Sequence, residues 1–141
     1  MPPNMNGISL INPSSLLDPT QHLYSHVSVI ENPARLIRVA GQVGIDREGK
    51  TPTYFEAQTR LALSNAHECL KAAGATIRNI TYMTIYVADY NPEVPIWGAI
   101  QEFLTDKDGI HLPPAALIPV PMLGSPEWKV EVIVEAATSK H

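Results

Sequence analysis

The stretch Thr53-Tyr54-Phe55-Glu56-Ala57-Gln58-Thr59-Arg60-Leu61-Ala62-Leu63-Ser64-Asn65-Ala66-His67-Glu68-Cys69-Leu70-Lys71-Ala72-Ala73-Gly74 decides the fold class. Leu63, Ala66, Leu70 and Ala73 recur at helical spacing, so the segment carries one apolar face. Thr53 and Glu56 have the form of a capping box, in which the threonine takes an orphan amide and the glutamate returns the bond. Gly74 supplies a left-handed stop. On either side the period changes to two. Upstream, Ser25–Ile30 and Arg35–Val43 read as strands that would pair as a hairpin across Glu31-Asn32-Pro33-Ala34. Downstream, Tyr82–Val87 puts Met83, Ile85 and Val87 on one face and Tyr82, Thr84 and Tyr86 on the other. A second helix is expected from Asn91-Pro92, a cap followed by proline at the first helical position, with Pro95 still in its first turn. Ile96, Ile100, Phe103 and Leu104 form its buried stripe. In the last strand Val130, Val132, Val134 and Ala136 alternate against Glu131, Ile133 and Glu135. Strands, then helix, strand, helix and two strands imply one mixed sheet with both helices on a single face, an α+β sandwich.

The 141 residues are enough for one domain, expected over 8–141 behind a flexible Met1–Gly7. The 13 prolines fall mostly between periodic segments and punctuate them. A net charge of −4 offers no basic footprint for nucleic acid or anionic membrane. No window reaches a membrane span, and no basic-then-apolar signal pattern opens the chain. Cys69 is the single cysteine, which suits a reducing compartment, and the expected location is cytoplasmic. Cys69 reads as a small core residue. None of His22, His26, His67, His111 and His141 has metal-ligand spacing. His26, two residues from Tyr24, is the one histidine with a plausible cleft role, and His67 belongs on the helix surface. No phosphate loop, nucleotide fingerprint or Ser-His-Asp arrangement appears, so the reading implies neither metal nor cofactor.

Four segments together resemble the Rid/YjgF family (reactive intermediate deaminase). Leu36–Asp46 is similar to its "(S/A)GQ-x-x-x-(D/N)" strand and turn, and Glu56–Gly74 to its "QTRxALxN…LxAAG" helix. Pro113-Pro114-Ala115-Ala116-Leu117-Ile118-Pro119-Val120 resembles its Pro-Ala-Arg-(Ser/Thr)-x-Val signature, and Trp128–Val132 its final "VEIE" strand. The resemblance covers roughly residues 20–137. It implies a chorismate-mutase-like fold, with the helix-free face of the sheet buried in a homotrimer and ligand clefts between subunits.

Within that resemblance the cleft is altered. The family's arginine clamps the carboxylate of a 2-imino or enamino acid through a bidentate pair; Ala116 stands there, and Leu117 replaces the usual hydroxyl. Trp97 falls where the family carries asparagine, either filling the pocket with a stacking face or packing a subunit interface. Tyr24 matches the pocket tyrosine. Gly41 and Gln42 match the segment whose backbone approaches the ligand. Glu131 matches the carboxylate that positions or activates water, acid–base work suited to an apolar cleft; the alternative is an exposed strand residue. Arg38 or Lys129 could replace the lost cation. Three readings follow. One is a Rid-like enzyme acting on an unstable imine- or enamine-type metabolite other than a free 2-imino acid, with Glu131 and Tyr24 catalytic and Gly41, Gln42, Trp97, Ala116 and Leu117 binding. The second is a non-catalytic metabolite- or protein-binding member. The third is a 2-iminobutanoate/2-iminopropanoate deaminase with a surrogate cation.

Overall fold

Helix α1 (Phe55–Ala72) buries Ala62, Leu63, Ala66 and Leu70 along the expected stripe, in a computed structural model that describes residues 6–139. Gly74 ends it at φ +76. Its first turn corrects the sequence reading. Tyr54, in extended backbone, is the N-cap residue, and no side chain caps the helix. With the helix starting at Phe55, Thr53 lies one residue outside the capping position. Glu56 turns instead to Arg60, 3.1 Å away.

The expected early hairpin does not form. Strand β2 (Val27–Ile30) pairs with β1 (Ile8–Ile11), while β3 (Arg35–Val43) pairs antiparallel with β8 (Val130–Thr138). The connection explains this: Asn32 adopts φ +49, and the amide of Ala34 donates to the carbonyl of Thr138 at 2.7 Å, hooking the chain onto β8. Residues 1–5 of the expected lead-in and His141 lie outside the described residues. Gly7 lies close to Ser139, where a Cβ on the glycine would stand 2.8 Å from that of the serine.

The main sheet runs β3-β8-β4-β7, with β4 (Ile80–Ala88) antiparallel to β8 and parallel to β7 (Ala115–Val120). It is mixed and carries both helices on one face, as expected. Val130, Val132 and Val134 join Met83, Ile85 and Val87 in the core beneath the helices. Helix α2 (Trp97–Phe103) begins well after Asn91-Pro92. Asn91 spends its side chain on the Glu93 amide at 2.9 Å, closing a local turn, and Pro95 disfavours helical backbone at Val94. Pro95 therefore precedes the helix. Ile96, Ile100 and Leu104 are buried, with Phe103 packed at the core's margin. A two-residue hairpin, β5 (Thr105–Asp106) with β6 (Gly109–Ile110), returns the chain toward β7.

The seam between α1 and β3 is closed by residues of the helix motif. A Cβ on Gly44 would lie 2.6 Å from the Gln58 carbonyl oxygen, so only glycine allows this approach. Buried Gln58 donates to the carbonyls of Pro52 (2.9 Å) and Glu127 (2.8 Å) and accepts from the Lys129 amide at 2.9 Å. Asn65 donates to the carbonyls of Val43 and Ile45.

Candidate functional site

At the β7 edge, on the helix-covered side, lies a cavity of about 290 Å³. Met83 and Ile85 from β4, Ala115, Ala116 and Leu117 from β7, Ile100 from α2 with Leu104 at its end, and Pro113 form its apolar walls. Trp97, at the start of α2 and 41% exposed, stands over it. His22, Leu23 and Tyr24 close the remaining side. Among the described lining residues none is Asp, Glu, Lys or Arg. The larger hollow between α1 and α2, about 490 Å³, is an open surface groove. Its Arg60 is already engaged by Glu56 and Glu102. The edge cavity is the better candidate because it combines apolar walls with a few convergent polar groups.

The structure thus brings Tyr24, Trp97, Ala116 and Leu117 to one cavity, and places Gly41 and Glu131 elsewhere. Strand register sets the separation. Ala115 and Leu117 pair with Met83 and Ile85, facing the helices, whereas Ala116 pairs with Thr84 on the helix-free face. Glu131 lies on that same helix-free face, in register with Tyr86, half-buried and outside the cavity lining. Between Val39 and Gln42 a bulge interrupts β3, and there a Cβ on Gly41 would stand 2.8 Å from Cδ of Glu131. Glycine lets that carboxylate rest against β3. Gln42 turns back to donate to the Ala40 carbonyl at 3.1 Å.

Neither candidate surrogate cation reaches the cavity. Arg38 pairs with Glu135 at 3.8 Å on the helix-free face. Lys129 is held by Asp89 at 2.8 Å and by the Pro126 carbonyl at 3.4 Å. His26 does not line the cavity either. Its ring stands edge-on to Tyr24, with centroids 5.8 Å apart, and bonds the Leu17 carbonyl at 2.9 Å, so it supports the tyrosine from behind. His67 is exposed and Cys69 packs at the core's margin, as expected.

Two residues of the lining escaped sequence reasoning, His22 and Leu23. No periodic signal marks them, and the left-handed backbone of Leu23 (φ 66, ψ 35) is unreadable from a leucine. Below the cavity, buried His111 bonds the Ile80 carbonyl at 2.9 Å, and its amide donates to the Leu104 carbonyl at 2.8 Å. Burial pushes this imidazole below its ordinary value, partly offset by the Ile80 bond. Nearby, the Arg78 guanidinium, with help from the Asp108 amide, holds the Asp106 carboxyl down to about 2. Among the described residues no cluster of His, Cys, Asp and Glu is arranged to hold a metal ion, and no helix is long and apolar enough to cross a membrane.

A mixed sheet with both helices on one face defines an α+β protein with the chorismate-mutase-like fold. The chain belongs to the Rid/YjgF family: the family model described as Endoribonuclease L-PSP matches residues 17–138. It is 35% identical over 79 residues to the RutC family protein YjgH of Escherichia coli K12, a match spanning 56% of each chain, so about half the length of that curated relative is covered. Among solved structures it is similar to YyfB of Yersinia pestis, a Rid-family protein of unknown function, at 27% identity and a TM-score of 0.84, covering 93% of this chain and 98% of that one. It also shares its fold with E. coli TdcF, whose structure contains bound serine, at 24% identity and a TM-score of 0.68, covering 82% and 88%.

Proposed function

We propose that this chain is a Rid-type small-molecule enzyme whose substrate is an uncharged imine, enamine or related unstable intermediate, and not a free 2-imino acid. The observations that carry the reading are an edge cavity lined by no Lys or Arg and Ala116 at its border, which puts a methyl group where the clamp would be, on the sheet face it shares with Glu131. A carboxylate buried there would find no Lys or Arg to balance its charge, at a cost of several kcal/mol. E. coli TdcF holds serine, which bears such a carboxylate; the cavity here suits a neutral counterpart. Glu131 handles the proton, and the Gly41 backbone donates to the ligand.

In one chain Glu131 and the cavity lie on opposite sheet faces, so the reading requires assembly. Tyr82 and Ile118 are exposed on the helix-free face beside Ile133. A homotrimer covers that face and lets one subunit's carboxylate meet another's edge. The net charge is −4, and Arg38, Arg60, Arg78 and Lys129 are each paired with carboxylates, which argues against RNA as the substrate. The endoribonuclease in the family's description is therefore not the activity proposed, and the location proposed is the cytoplasm.

The test uses imines made in situ: one uncharged, from benzylamine and a flavin amine oxidase, and one carboxylated, from leucine and an amino-acid oxidase. Ammonia release should accelerate for the uncharged imine alone and fall about 100-fold in Glu131→Gln, as loss of a general acid–base residue implies. Acceleration of the carboxylated imine, or full activity in Glu131→Gln, overturns the reading. A second reading, a binding protein without turnover, is favoured by the absence of Glu131 from the cavity lining. Recovery of a bound metabolite unchanged after prolonged incubation would support it.

A further inference from the structure

We infer that the turn His22-Leu23-Tyr24 reads a single uncharged hydrogen-bonding group on a flat, otherwise apolar ligand that lies against Trp97. The inference rests on the cavity being a small-molecule site, and it names which end of the ligand is polar and what reads it. His22 ends a short 3-10 turn (Thr20–His22), and Leu23 follows it in left-handed backbone, φ 66 and ψ 35, which carries the chain on to Tyr24 beside the cavity. A leucine in that region is strained, and such residues persist where their surroundings over-determine them, often at ligand contacts.

The turn is tied down at both ends. Ahead of it, Asp18 Oδ1 accepts from the Thr20 amide (3.0 Å) and hydroxyl (2.8 Å). Behind it, the Ser25 amide donates to the Pro113 carbonyl at 3.4 Å, joining the turn to the lead-in of β7. Tyr24 is backed by the His26 ring. What this fixed segment presents is an imidazole and a phenol, and with the Trp97 indole N–H they are the polar side-chain groups of the lining. The other lining side chains are hydrocarbon or, in Met83, thioether. His22 can donate or accept, Tyr24 likewise, and neither supplies a fixed positive charge. An amide, imine or ketone oxygen or nitrogen is matched; a carboxylate is not. At about 290 Å³ the cavity is at the small end of the range for ligand pockets, room for one ring and one substituent. His22 is thus a positioning and specificity residue that the family motif does not contain.

Phenylacetamide and phenylacetate, alike in shape and different by one charge, test this with the full chain. Their binding is followed by calorimetry and by the Trp97 indole N–H resonance. Phenylacetamide should bind at least about tenfold more tightly and shift that resonance. Because His22 is exposed, its variants should keep the fold. His22→Leu should weaken phenylacetamide about fivefold, the worth of one hydrogen bond, while His22→Gln, which keeps a donor, stays within about twofold of the parent. Toluene binding should be unchanged in His22→Leu, which separates hydrogen bonding from simple wall loss. Equal or tighter binding of phenylacetate, an unaltered phenylacetamide affinity in His22→Leu, or no binding of either probe overturns the inference. None of these readouts needs turnover. A catalytically inert protein would defeat the proposed function and leave this inference standing.

Discussion

The seam between α1 and β3 and the cavity edge beside β7 lie on the same side of one sheet and are built in opposite ways. At the seam, Gly44 brings helix and strand together, and the side chains of Gln58 and Asn65 satisfy five backbone groups. At the edge, hydrocarbon walls enclose open volume, Trp97 is 41% exposed, and a leucine holds a left-handed turn. The residues of the family's helix motif work at the seam. Their presence therefore argues for the fold and says little about the chemistry, which is proposed for the edge.

The comparison is broken at the tight backbone approach of Gly44 to Gln58. Valine there would drive its side chain into the Gln58 backbone, which cannot yield without shifting α1. Gly44→Val should destabilise the protein by roughly 3 kcal/mol or more, read as a lowered midpoint in urea unfolding. The next effect is at Gln58. Gln58→Leu keeps volume but orphans the Lys129 amide and the carbonyls of Pro52 and Glu127. A loss of about 2–3 kcal/mol is expected. An unchanged midpoint in either variant would show that the seam is not the rigid part of the molecule.

The seam was legible in the sequence because it is local and periodic. The stripe Leu63, Ala66, Leu70 and the stop at Gly74 needed only a 3.6-residue period and a glycine. The alternation of β4 and β8 was equally plain. Strand pairing was not, because β3 finds its partner β8 across the whole chain, and the sequence-adjacent choice β2 prefers β1. The two helix starts failed for a related reason: Thr53 and Asn91 are good caps, but Tyr54 and Ile96 occupy the N-cap positions, where packing of α1 and the turn around Pro95 decide. For the site, the motif pointed to Tyr24, Trp97, Ala116 and Leu117, which do meet. The pleat put Glu131 on the other face, and nothing in the composition of His22-Leu23 announces a left-handed turn.

An intermediate effect depends on pH. The buried His111 imidazole has its folded value pushed below 6.5, so the unfolded chain binds its proton first. Its contribution is fully present above about pH 6.5 and is lost as pH falls below it. Thermal midpoints should therefore start to drop below about pH 6.5, and His111→Asn should flatten that part of the profile. Asp106 acts lower. Its folded value of about 2 against an ordinary 3.8 means its stabilisation is present above about pH 4 and is lost as pH falls toward 2. Asp106→Asn should remove that second step alone. A profile unchanged in His111→Asn would sink the assignment of the first step.

The smallest effect sharpens the comparison most. Leu63 and Leu23 are both leucines, one 3% exposed on the buried face of α1 and the other packed against the core from the cavity turn. Leu63→Gly removes a filled volume and places glycine in a helix, and should cost about 4 kcal/mol. Leu23→Gly also loses apolar contact, but it releases a left-handed strain worth roughly 1–2 kcal/mol, so the net change in unfolding free energy should be below about 1 kcal/mol. Matched urea titrations of the two variants decide the point. A loss at Leu23 as large as that at Leu63 would mean that the turn is ordinary core whose backbone strain has been outweighed by packing. A small loss at Leu23 would show that the strained turn contributes little to stability, and would leave ligand contact as the reason for holding His22 and Tyr24 at the cavity.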